Sequence, residues 1–220
     1  MDGTHGDDRP PRGRLISVNV GEPLLVDTGR RLVETAIWKT PVEGRVQVRG
    51  VNLDGDRQAD LSVHGGSNKA VYAYAIEETR LWEGELGRGL GPGAFGENLT
   101  TEGVDVSGAV LGERWRVGTT LLEVVQPRLP CFKLGLRLED PTMVRRFAQA
   151  SRPGAYLKII EAGDLGTGDA IDVDLVGRPD HGVSVRLVSD AMLVDHSLIP
   201  RARQAPQLIE SLREQMAELV

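Results

Sequence analysis

"KAVYAYAI", Lys69 to Ile76, is a run of β-branched and aromatic residues, the composition that fits a packed, pleated strand. It leads into "EETRLWEGEL", where Trp82 and Leu86 fall at helical spacing beside Ile76 and predict one short helix. Upstream, "RLISVNVG" (from Arg14), "LVETAIWKTPV" (from Leu32) and "GRVQVRGVNL" (from Gly44) carry apolar residues at every second position, the period of a half-buried strand. Downstream, "GRGLGPGAFGENL" begins at Gly87 and holds Gly89, Gly91, Gly93 and Gly96 as well. So many glycines predict a loop, because they do not all fit a packed helix or strand.

Further strands broken by glycine turns are expected in "VSGAVLGERWRVGTTLLEVVQPR", from Val106. "DPTMVRRFAQA" has a clear helix start, with Asp140 as N-cap, Pro141 in the first turn, and Met143, Val144 and Phe147 facing inward. "AYLKIIEAGDLGTGDAIDVDLV", from Ala155, reads as strand, turn, strand, and "GRPDHG", from Gly177, as a linker. Beyond it "DAMLVDHSLIP" and "APQLIESLREQMAELV" read as helices, the second with an apolar stripe of Leu208, Leu212, Met216 and Leu219. That stripe leaves three placements open: on the chain's own strand-rich body, on a second copy in a homodimer, or on a redox partner. The expected organisation is a disordered tail at 1–13, a mainly β domain at 14–176, and a linker with a small C-terminal helical appendage at 177–220.

With 220 residues and 40% apolar content, the chain is long enough to bury a substantial core. A net charge of −6 argues against a general nucleic-acid binder. No run reaches the roughly 20 apolar residues that span a bilayer, and "MDGTHGDDRPPRGR" has no apolar core of a secretory signal. A single cysteine, Cys131, forms no internal disulfide and suits a reducing compartment. The expected location is the cytoplasm.

That cysteine lies in "VVQPRLPCFKLG", from Val124. Free cysteines are commonly buried packing residues, but this one sits among Pro127, Arg128, Pro130 and Lys133. Prolines do not continue a strand ladder, and cationic neighbours favour the thiolate that attacks electrophiles or binds metal. From Gln126 to Lys158 the chain has seven basic residues and two acidic ones, a local excess of positive charge that points to an anionic ligand such as a phosphate. On these features alone Cys131 is either filler or functional.

Two other segments are equally open by themselves. In "DLSVHGGSNKAVYAY", Gly65 and Gly66 offer a turn whose N–H groups suit an anion. Lys69 is then within reach of a phosphate, and the alternative is an ordinary turn with His64 bonded inside the fold. In "GPGAFGENLTT", Asn98 either orients a ligand or caps a turn. The histidines are scattered, and HExxH, CxxC, GxSxG and phosphate-loop patterns are absent. A cysteine protease would have only Cys131 and His64 behind it.

Taken in order, "GDRQADLSVHGGSNKAVYAY", "FGENLTTEGV" and "QPRLPC" resemble the MOSC family, more narrowly its YiiM-type branch, in which a helical extension follows the MOSC domain. The resemblance implies a β-barrel domain with a few short helices and a molybdenum cofactor (molybdopterin) bound through Cys131 as metal ligand. It associates that cysteine with Lys69 and Asn98 as catalytic residues, and gives His64, Gly65, Gly66 and Arg128 supporting roles in cofactor binding. The implied reaction is the reduction of a small N-hydroxylated substrate, such as a hydroxylaminopurine base, with electrons from a separate donor protein. The alternative in the same family is a cofactor or sulfur carrier that forms a Cys131 persulfide. No pyridoxal phosphate is expected, because nothing in the chain is long enough for that domain. The family pattern leads one to expect an aromatic residue before the tyrosine of "GAY"; Ala155 stands there and predicts a wider wall at that place.

Overall fold

A computed structural model describes residues 13–59 and 65–220. The expected N-terminal tail, apart from Gly13, and His64 lie outside the described residues. In chain order the strands are β1 (Gly13–Val20), β2 (Leu24–Asp27), β3 (Leu32–Thr35), β4 (Thr40–Pro41), β5 (Arg45–Arg49), β6 (Asn52–Leu53), β7 (Val71–Ala75), β8 (Leu99–Glu102), β9 (Arg114–Val117), β10 (Thr120–Pro127), β11 (Ala155–Glu161), β12 (Gly163–Gly166) and β13 (Ala170–Val173). The α-helices are α1 (Ile76–Leu86), α2 (Phe132–Leu138), α3 (Met143–Gln149), α4 (Val185–Leu193), α5 (Ile199–Ala202) and α6 (Glu210–Ala217).

Seven strands pair in the order β13-β9-β10-β11-β7-β8-β1, and β13 also pairs with β1, which closes a barrel. Closure removes the open edges that a flat sheet exposes. All these pairings are antiparallel except β7 with β8. The mainly β barrel with a few short helices expected from the sequence is the observed fold.

β7 has no wet face. All five of its residues are buried. Val71, Ala73 and Ala75 point into the barrel core beside Leu15, Leu99 and Leu157. Tyr72 and Tyr74 point outward into a second core with Trp82, Phe95, Leu134, Met143 and Phe147. The alternation of small and aromatic residues therefore makes this strand a wall shared by two cores. In the outer core Tyr74 stacks on Phe95 at 4.6 Å and Trp82 lies parallel to Phe147 at 6.1 Å. The polar edges are satisfied too: Trp82 Nε1 donates to the Tyr74 hydroxyl at 2.9 Å, and the Tyr72 hydroxyl donates to the Pro153 carbonyl at 2.9 Å.

Some elements differ from the sequence expectation. "LVETAIWKTPV" is not one strand: β3 and β4 flank an irregular stretch at 36–39. "GRVQVRGVNL" turns at Gly50, where φ is 64°, into the hairpin of β5 and β6. The 155–176 segment holds three strands, not two. α2, directly after Cys131, was not expected, because the flanking prolines mask a seven-residue helix. α3 starts at Met143; Asp140 Oδ1 accepts from Thr142 N at 2.8 Å and Thr142 Oγ1 at 2.6 Å, a local turn that delays the helix.

The C-terminal helices complete the inner core. Val188, Ala191, Ile199, Leu208, Leu212 and Met216 belong to the same buried cluster as the barrel interior. The segment docks through backbone bonds, with Val185 N donating to Ala109 O at 2.9 Å and Arg186 N to Ser107 O at 2.7 Å. Three members of the expected stripe are buried on the chain's own body, and Leu219 is exposed. Among the described residues, no helix is long and apolar enough to cross a membrane.

Two stability outcomes follow. Leu212→Ala removes a buried side chain from the shared core and is expected to cost about 2–5 kcal/mol, with barrel and helices lost in one urea transition. A separate barrel transition unchanged in midpoint would contradict the shared core. Glu78 in α1 is buried, one of its carboxylate oxygens has no partner, and burial raises its pKa to about 7. The folded state thus binds this proton more tightly than the unfolded chain, and stability falls as pH rises from the ordinary carboxylate value of 4.5 through about 7. Glu78→Gln should abolish that decline and stabilise the protein above it by up to about 3 kcal/mol, as read from urea melts across pH.

Candidate functional site

Strand β10 ends at Pro127, and the chain passes through Arg128 to Cys131, which caps α2 in extended conformation. Cys131 is partly exposed. Arg128 is buried; its Nη1 donates to the Phe95 carbonyl, and its guanidinium lies 5.2 Å from the Tyr72 ring centre and 5.9 Å from that of Phe147. Aromatic faces attract a cation, so β7 and the outer core fix this arginine beside the thiol segment.

The glycine-rich loop builds the opposite wall. Gly93 and Gly96 have φ of 80° and 73°. A Cβ on Gly93 would lie 2.6 Å from the Lys39 carbonyl, and one on Gly96 2.8 Å from Ile37 Cγ1. Only glycine permits both the backbone turn and the close approach to the 36–39 stretch. Glu97 holds the loop from inside, its carboxylate accepting from Gly93 N at 2.6 Å, Phe95 N at 3.0 Å and Thr100 Oγ1 at 2.9 Å. Burial raises its pKa, and those donors oppose the rise.

Pressed against this loop is a buried polar network. Lys39 forms an ion pair with Asp56. Asp56 Oδ1 also accepts from Gly21 N at 2.9 Å, and its Oδ2 from Asn98 Nδ2 at 2.9 Å. Asn98 Nδ2 also donates to Asn19 O at 3.2 Å, and Asn98 Oδ1 accepts from Tyr72 N at 3.0 Å. Burial lowers the pKa of Lys39, and the Asp56 carboxylate opposes that shift.

These parts surround one cavity of about 110 Å³. Its lining brings together Cys131, Lys69, Asn98 and Arg128, four residues singled out in the sequence. Among the described residues, Lys39, Arg57 and Lys133 make five basic side chains with Lys69 and Arg128, against the single carboxylate of Asp56. Gly65 and Gly66 do not line it. Gly66, with φ 91°, starts the 3-10 turn Ser67–Lys69, and its N–H is taken by Gln58 Oε1 at 2.9 Å. That bond occupies the Gly66 donor expected to bind an anion.

The basic excess of residues 126–158 does not gather in one place. Arg146 pairs with Asp140 and Glu85, Arg152 with Glu85, and Lys158 with Glu123; Arg128 and Lys133 face the cavity. Ala155 does not widen the cavity wall, because it points into the barrel core while Tyr156 lines the cavity. Lys39 and Asp56 were missed in the sequence. One signal was present: Val33, Thr35, Ile37 and Lys39 alternate as buried positions, which puts a lysine on the inward parity of an apolar run.

The MOSC domain pattern matches residues 60–172, and a Bacillus subtilis protein, YflK, is 35% identical over 178 residues, 81% of this chain and 80% of that protein. The chain belongs to the MOSC family. Protein YiiM of Escherichia coli is 33% identical over 148 residues, 66% of this chain and 65% of that protein. The crystal structure of YiiM from Geobacillus stearothermophilus covers 94% of this chain and 98% of its own, with a TM-score of 0.76 and 29% identity. That coverage extends into the C-terminal helices. A protein of Gibberella moniliformis named "Reductase" is 30% identical over 90% of this chain, which is 36% of that protein.

Replacing Gly96 by Ala forces a side chain into left-handed backbone against Ile37 and is expected to cost about 2 kcal/mol or more. A urea midpoint equal to that of the parent protein would show that the loop does not need glycine there.

Proposed function

We propose that this protein binds the molybdenum cofactor through Cys131 and reduces small N-hydroxylated compounds, such as hydroxylaminopurine bases, to amines. One observation carries the reading: the chain's single thiol opens on a cavity lined, among the described residues, by five basic side chains and one carboxylate. The donor set fits the group. Thiolate sulfur is a soft ligand suited to such a centre. A pterin dithiolene would supply further sulfur ligands beside Cys131. The cationic lining suits the pterin's phosphate.

When bound, the cofactor supplies two-electron removal of the hydroxyl oxygen. The chain's own residues bind and orient. Cys131 offers the metal ligand, while Arg128, Lys69 and Lys133 hold negative charge at the cavity. The amide of Asn98 is already bonded to Tyr72, Asn19 and Asp56, so its part is to shape the wall. Lys39 adds an ammonium group to the same wall. The overall reaction takes RNHOH, two electrons and two protons to RNH2 and water, with electrons from a separate donor protein. The relative named "Reductase" is consistent with this class of chemistry.

Loading the purified protein with molybdenum cofactor should give about one metal per chain by elemental analysis. Hydroxylaminopurine should then be reduced with a chemical reductant, and Cys131→Ser should lose at least about 100-fold in turnover, the scale of a lost metal ligand or its support. Metal binding without turnover would favour the carrier reading. No binding, with Cys131→Ser indistinguishable from the parent, would reject both.

A further inference from the structure

The proposed function assigns no role to Asp56, yet this carboxylate joins three parts of the cavity wall. It lies just after β6 and is buried. Its two oxygens accept from the backbone at Gly21, the ammonium of Lys39 and the amide of Asn98. These partners come from the end of β1, the irregular 36–39 stretch and the glycine-rich loop. No strand pairing joins the 36–39 stretch to the residue before β8, so Asp56 is the side chain that bonds both of them.

We propose that Asp56 is the positioning residue of the cavity: its carboxylate fixes Asn98 and Lys39 together and keeps Lys39 in its charged, ammonium form. An amine buried to this degree pays heavily for its charge unless a counter-ion accompanies it. Among the described residues, the charged groups that act on Lys39 are Asp56 and Glu97, which favour the ammonium, and Arg128, which opposes it. Asp56 is the one in contact. Glu97 spends its carboxylate on Gly93, Phe95 and Thr100, and burial favours its neutral form, so it is a poor substitute for Asp56. Without Asp56 the cavity would hold a neutral amine where an anionic ligand meets a cation. The role of the charged lysine toward a ligand rests on the function proposed above; the charge itself does not.

The test uses full-length, cofactor-free protein carrying isotope-labelled lysine. The Lys39 side-chain NMR signal is assigned by its loss in Lys39→Met and followed through a pH titration. In the parent protein Lys39 should be charged at neutral pH. Asp56→Asn should shift its midpoint to lower pH by an amount equal to at least about a tenfold loss of proton affinity, and Asp56→Glu should recover part of that loss. A Lys39 that is neutral at neutral pH in the parent, or a midpoint unmoved in a folded Asp56→Asn protein, overturns the proposal. Should Asp56→Asn fail to fold, the parent and Asp56→Glu titrations decide it: a Lys39 charged in the parent with its midpoint moved to lower pH in Asp56→Glu supports the proposal, and a Lys39 neutral in the parent or with its midpoint unmoved in Asp56→Glu overturns it. No metal or cofactor enters the measurement, so its failure is distinct from a failure to bind molybdenum at Cys131.

Discussion

The parallel pairing of β7 with β8 is the constraint on which the site depends. Every other neighbour in the barrel is antiparallel, but a parallel pair needs a long crossover to bring the chain back to the same end. Residues 76–98 are that crossover. It leaves over the tyrosine face of β7 as α1, turns through the glycine-rich loop, and returns with Glu97 and Asn98 at the start of β8. Register shows why Asn98 stands there. The β7–β8 ladder begins with Ala73 opposite Leu99, so Tyr72 N is one residue beyond it, and the Asn98 side chain accepts from that N–H. The residue that completes the ladder is also the residue that faces the cavity.

The same crossover explains where the buried charge sits. Charged and polar groups are costly to bury unless each has partners, and Lys39, Asp56, Asn98 and Arg128 in the cavity wall and Glu97 in the adjoining loop all have little exposure. Each is paired, but with a different kind of partner. Arg128 uses a carbonyl and two aromatic faces, Glu97 uses loop N–H groups, and Lys39 uses Asp56. The loop does not fold around an apolar plug; it folds around Glu97, and the glycines allow it to come close enough for that carboxylate to be satisfied. Polar groups so placed stabilise the barrel weakly and define the shape of the wall strongly.

Much of this was legible before the structure. The strand "VYAYA", the helix behind it and the glycine loop follow from local composition and period. Cys131, Lys69, Asn98 and Arg128, from three separate segments, do line one cavity. What stayed hidden has a physical reason in each case. α2 was missed because Pro127 and Pro130 dominate the local reading of a helix only seven residues long. The basic excess after Gln126 does not form one patch, because chain proximity says little about direction in a strand: Lys158 pairs with Glu123, while Arg128 bonds the Phe95 carbonyl beside the cavity. Asp56 follows a hairpin whose turn, not its period, decides where it points, so no sequence pattern marked it.

The thiol's position draws on both cores at once. Cys131 lies where β10, whose residues pack into the barrel, gives way to α2, whose Leu134 and Leu138 pack into the aromatic core. A group set on a free loop samples many geometries, but one held between two packed elements is pre-organised, and its cost is met by folding and not by binding. Arg128 strengthens this, because the residue next to β10 is itself anchored to Phe95 and Tyr72 across the loop and β7. The C-terminal helices act on the same site at one remove. By packing Val188, Leu212 and Met216 into the same buried cluster as the barrel residues, they support the strands that carry Tyr72 and Tyr156 and lead to Arg128. In this chain the extension is therefore part of the scaffold that holds the thiol, and not a separate module attached to it.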